Sequence, residues 1–66
     1  MTKGEEELIA ALNGDIQMWE SMAHYFIGVA EITLLDGRKI SGEEYRKQFL
    51  MRIQDHRELI GRIKAS

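Results

Sequence analysis

Leu8, Leu12, Ile16, Trp19, Ala23, Phe26 and Ala30 recur at steps of four and three along the first part of the chain. That spacing gathers side chains on one face of an α-helix. Glu6, Asn13, Glu20, His24 and Glu31 fall on the opposite face at about 100° per residue. Thr2 and Glu5 have the T-x-x-E spacing of a capping box, and Glu5, Glu6 and Glu7 suit the positive end of a helix dipole. The pattern predicts a helix over about residues 3–27.

Two positions disturb it. Asn13-Gly14 sits in mid-pattern, where a glycine is worth about 1 kcal/mol less than alanine. Asp15 then projects toward the apolar side, where an unpaired carboxylate is expensive. Either the helix breaks at Asn13-Gly14 and restarts with Asp15 as N-cap, or it continues and Asp15 finds a partner.

Residues 28–41 form a joint. Read as helix, the seam runs through Ala30 to about Leu34 and ends at Gly37. Read as strand, Ala30, Ile32 and Leu34 alternate with Val29, Glu31 and Thr33, and the β-branched density of Val29, Ile32 and Thr33 favours this reading. Leu35-Asp36-Gly37-Arg38 would then be a two-residue type I′ hairpin with Arg38-Lys39-Ile40 as its return strand. Ser41 and Glu44 repeat the capping-box spacing, so a second helix is expected over about residues 42–64. Its seam is Tyr45, Phe49, Ile53, His56, Ile60 and Ile63, with Leu50 and Leu59 at the edges. Glu43 with Lys47 and Glu58 with Arg62 add i,i+4 ion pairs in the better orientation.

Composition narrows what these elements can do. A 66-residue chain is a single small domain with a marginal core, and such domains lean on disulfides, metals or self-association. There is no cysteine. That removes disulfides and thiolate zinc sites, so self-association is the remaining support. A formal charge of −2 argues against a dedicated nucleic-acid binder. Apolar runs are too short for a membrane span, and the first residues lack the basic-then-apolar order of a signal peptide. A soluble cytoplasmic protein is expected.

The fold class expected is mainly α: two long antiparallel amphipathic helices joined by a short β-hairpin or tight Asp-Gly turn, associating as a dimeric four-helix arrangement. The helix–hairpin–helix outline, with Asp36-Gly37 at its turn, resembles the small head-completion proteins of tailed phages. The resemblance is one of outline and carries no residue roles across.

Candidate chemistry is sparse. A calcium loop centred on Gly37 would need Ile32 and Leu34 as ligands, and neither can ligate. Glu20 and His24 have an i,i+4 spacing that can hold a divalent metal. The di-iron bundle pattern needs Glu three residues before His, whereas Ser21 and Ile53 stand there. No metal site or cofactor is predicted. His56 lies in the apolar seam and, with antiparallel helices, about one turn from Asp15. The two form a candidate buried polar pair, structural or pH-sensitive; catalysis would need a nucleophile or an oriented substrate site as well. Arg46, Arg57 and Lys64 line one flank of the second helix, with Arg38 and Lys39 on the joint. They are candidate contacts for an anion or acidic partner, or cationic side chains covering the seam edge.

Trp19, Met22, Phe26, Tyr45, Phe49 and Ile53 supply the large apolar area of a candidate interface. The first helix is apolar over an arc that one partner helix cannot cover, with Met18, Met22, Tyr25, Ile27 and Val29 flanking its seam. The reading is a non-enzymatic homo-oligomeric interaction protein, an adaptor, inhibitor or assembly factor, whose main partner is itself as a homodimer or higher oligomer, with another protein as the alternative partner. The alternative is a helical bundle binding a small ligand or metal through Glu20, His24 or His56 at an inter-subunit face. A weaker third reading is a nucleic-acid accessory protein using the basic flank.

Overall fold

The computed structural model describes residues 1–66 as α1 (Lys3–Tyr25), β1 (Glu31–Thr33), β2 (Lys39–Ser41) and α2 (Gly42–Ala65). Both helix starts follow their local chemistry. The Thr2 Oγ1 accepts from the Glu5 N–H at 3.1 Å and the Glu5 carboxylate accepts from the Thr2 N–H at 3.1 Å, a complete capping box. Ser41 Oγ accepts from the Glu44 N–H at 3.0 Å and caps α2. Helix α1 runs unbroken through Asn13-Gly14, so the break-and-restart alternative does not occur. Both residues face solvent, where the low helix propensity of glycine is a small local loss.

The first helix ends two residues short of the expected boundary. Gly28 adopts φ 81°, and the N–H groups of Ile27 and Val29 turn back to the His24 and Phe26 carbonyls. A residue in the left-handed region closes a helix end, which glycine does without steric penalty. Ile27 therefore lies outside α1 and is exposed.

The joint is a hairpin, with Ile32 opposite Ile40 and Thr33 opposite Lys39. Its turn differs from the two-residue type I′ form. Gly37 alone has positive φ there (88°), whereas type I′ requires it at both central residues. Instead the Gly37 N–H donates to the Leu34 carbonyl and the Leu34 N–H to the Arg38 carbonyl, leaving a three-residue loop of Leu35, Asp36 and Gly37. This is a type I turn followed by a left-handed glycine bulge. Asp36 reinforces it by accepting from the Arg38 N–H at 3.0 Å and the Arg38 Nε at 2.6 Å.

The helices pack antiparallel, with Phe26 against Tyr45 near the hairpin and Asp15 beside His56 farther along. Leu12, Ile16, Ile53 and Ile60 form the core cluster, and Ile9, Trp19 and Ile63 pack on it. Ala23 and Phe49 are buried closer to the hairpin. Ile9 takes the core position at the open end, while Leu8, one residue earlier in the expected seam, is exposed. Gly42 joins the layers: its N–H donates to the Ala30 carbonyl at 3.1 Å, extending the hairpin ladder into the first turn of α2. A side chain there would collide with the Val29 backbone.

Candidate interaction face

The stripe of α1 meets the stripe of α2 along two edges with different chemistry. On one edge the Arg57 Nη2 donates to the Glu20 carboxylate at 2.6 Å, and the Arg46 Nε donates to the Ala23 carbonyl at 2.8 Å. The second bond satisfies a carbonyl near the C-terminal end of α1, where cationic groups also suit the helix dipole. Two of the three cations on the flank are thus engaged within the chain. Lys64 forms no ion pair, and the Glu20 carboxylate beside His24 is held by Arg57. Nowhere do three His, Asp or Glu side chains converge on one point.

The other edge is largely aromatic and apolar. Tyr25, Phe26, Tyr45 and Phe49 form an edge-to-face ladder with ring centroids 5.0–5.1 Å apart. Such contacts add to the stabilisation that burial supplies. Farther along, Trp19 meets His56 edge-on at 4.7 Å, and the Arg52 guanidinium lies 6.0 Å from the Trp19 and Phe49 ring centres. His56 Nε2 stands 3.4 Å from Asp15 Oδ2. The two expected polar partners therefore meet, at the rim rather than inside the core: the Asp15 side chain is 52% exposed and that of His56 24%. Two helices make one layer of contact, and Asp15 sits about 100° around α1 from Ile16, so it is left half open to solvent.

The six apolar residues expected at an interface divide by depth. Phe49 and Ile53 are consumed by the chain's own core. Trp19, Met22, Phe26 and Tyr45 are half-buried, each presenting one side outward. Met18, Leu59 and Leu8 are exposed. Arg52 belongs to this edge and is missing from the expected site, although its position 100° before Ile53, on the same side as His56, is readable from helical geometry. A separate open recess of about 430 Å³ lies at the hairpin, lined by Ile32, Thr33, Leu34, Leu35, Asp36, Arg38 and Tyr45.

The shape of the whole chain bears on this face. The molecule measures 44 × 18 × 17 Å with a radius of gyration of 14.8 Å, against roughly 11 Å for a compact chain of this length. It exposes 5083 Å², where a compact protein of its mass exposes roughly 4,300 Å². No large side chain is fully sealed from solvent. No helix is long and apolar enough to cross a membrane. No protein-family model matches the chain, and no curated protein or solved structure matches it closely enough to carry a role across.

Proposed function

We propose that this chain is a homo-oligomeric protein–protein interaction module, an adaptor, inhibitor or assembly factor that acts through its surface and catalyses no reaction. The observation that carries the reading is the surplus of exposed area. The chain exposes about 800 Å² more than a compact protein of its mass, close to what each partner contributes to a standard interface. One long face of the rod, 44 × 18 Å, has a footprint of the same order. The side carrying Trp19, Met22, Phe26 and Tyr45 supplies the aromatic and methionine side chains enriched in interface cores. Two such hairpins, face to face, make a four-helix arrangement with a second layer over each core.

Light scattering over a wide dilution series tests this directly. The expected result is a mass twice the 7.6 kDa of one chain, or a higher multiple, persisting to low micromolar concentration. A folded species of single-chain mass at every concentration would overturn self-association.

A further inference from the structure

We infer that the partner on this face is a second copy held antiparallel, by a two-fold axis perpendicular to the helices that sets Asp15 of each chain against the partner's Arg52. The inference rests on the self-association reading and adds its register. Along the exposed edge the polar groups fall at two levels. Asp15 and His56 share one, and Trp19 with the overlying Arg52 guanidinium occupies the other, one helical turn nearer the hairpin. Asp15 and Arg52 make no ion pair with each other inside the chain, and Arg52 has no carboxylate partner. A two-fold axis midway between these levels exchanges them and brings opposite charges together twice, as an isologous interface requires. The same point lies near the middle of both α1 (Lys3–Tyr25) and α2 (Gly42–Ala65), so this register overlaps the two rods almost end to end. A two-fold axis parallel to the helices keeps each level opposite itself and packs the two Arg52 guanidiniums together. Electrostatic complementarity of this kind selects one register from geometries with similar apolar contact.

Charge reversal separates these cases. Asp15→Arg and Arg52→Asp, each alone, replace two attractions with two repulsions per dimer. Each is expected to raise the dimer dissociation constant by about tenfold or more in sedimentation equilibrium at low salt. Circular dichroism of each variant checks that its helices persist. The Asp15→Arg/Arg52→Asp double variant restores both pairs and is expected to return to within a few-fold of the wild-type constant. An equimolar mixture of the two single variants is expected to form heterodimers. Single variants that associate as well as the wild type, with tighter heterodimers in their mixture, would point to the parallel axis and overturn the inference. Association unchanged in every variant and in the mixture would place the contact on another surface and overturn the register, with self-association intact. A wild-type chain that stays monomeric would remove both.

Discussion

Gly42→Ala is expected to destabilise the chain even though it replaces the poorer helix former with the best one. A Cβ at Gly42 would overlap the Val29 carbonyl oxygen and lie 2.8 Å from the carbonyl carbon. The obstacle is backbone, so no side-chain rotation relieves it; either the first turn of α2 or the Val29–Ala30 segment must move. Forced repacking of this kind costs about 1–3 kcal/mol. Displacement also weakens the bond from the Gly42 N–H to the Ala30 carbonyl, worth about 1 kcal/mol. The gain in helix propensity returns at most about 1 kcal/mol. The net loss is about 1–3 kcal/mol, a large share of the roughly 3–10 kcal/mol expected for a chain of this length. Gly14→Ala and Gly61→Ala are the controls. A Cβ at either position meets nothing within 4 Å, so each is expected to gain about 0.5–1 kcal/mol. Urea unfolding followed by far-ultraviolet circular dichroism, at matched protein concentration, reads all three. A Gly42→Ala protein as stable as the wild type, or stabilised like the other two, would refute the close approach of the hairpin to α2.

Three further outcomes concern a cap, the core and the surface. The backbone and side-chain hydrogen bonds with Thr2 hold the Glu5 carboxyl below its ordinary range, so its contribution to α1 is present above the unfolded value of about 4.3. It is lost as pH falls through the lower folded value. Protection against amide exchange at the N-terminal end of α1, measured relative to an unstructured chain at the same pH, is expected to fall on acidification through that window, and Glu5→Gln is expected to remove that fall. Phe49 is 5% exposed and stacks edge-on with Tyr45, so Phe49→Ala is expected to cost about 3–5 kcal/mol and leave much of the chain unfolded by circular dichroism. Met51→Ala, at a residue 66% exposed, is expected to stay within about 0.5 kcal/mol of the wild type.

The parts of this fold that were legible in the sequence are those governed by interactions over a few residues. Thr2 with Glu5, Ser41 with Glu44, and the period of Leu12, Ile16, Ile53 and Ile60 each declare a helix end or face within one or two turns. The β-branched run at Val29, Ile32 and Thr33 favoured strand, and strand formed over Glu31–Thr33. Gly28 carried a signal that the periodicity hid: a glycine after the last aromatic of the stripe is a normal helix stop, and Ile27 belonged outside. The turn type escaped because Asp36-Gly37 suits both a type I′ turn and a type I turn with a glycine bulge. The choice depends on which residues of the strands pair, which the dipeptide does not encode.

What stayed hidden depends on contacts between distant segments. Gly42 reads as an ordinary first helical residue until the Val29–Ala30 backbone is laid across it. Arg46 reads as a flank cation, free to meet an anion or to cover the seam edge, until the end of α1 arrives beside it and offers the Ala23 carbonyl. Asp15 shows the same principle in a form the sequence did betray, because a carboxylate breaking an apolar stripe is conspicuous wherever it finally points. Its partner within the chain, His56, could be found by aligning antiparallel helices, yet the pair remains half open. A stripe that is apolar over more than one helix can cover, interrupted by an aspartate on one helix and an arginine one turn away on the other, carries two kinds of information. The apolar breadth is what the proposed second chain would cover. The offset charges, placed near the midpoint of the rod, favour the direction in which that second chain is proposed to lie.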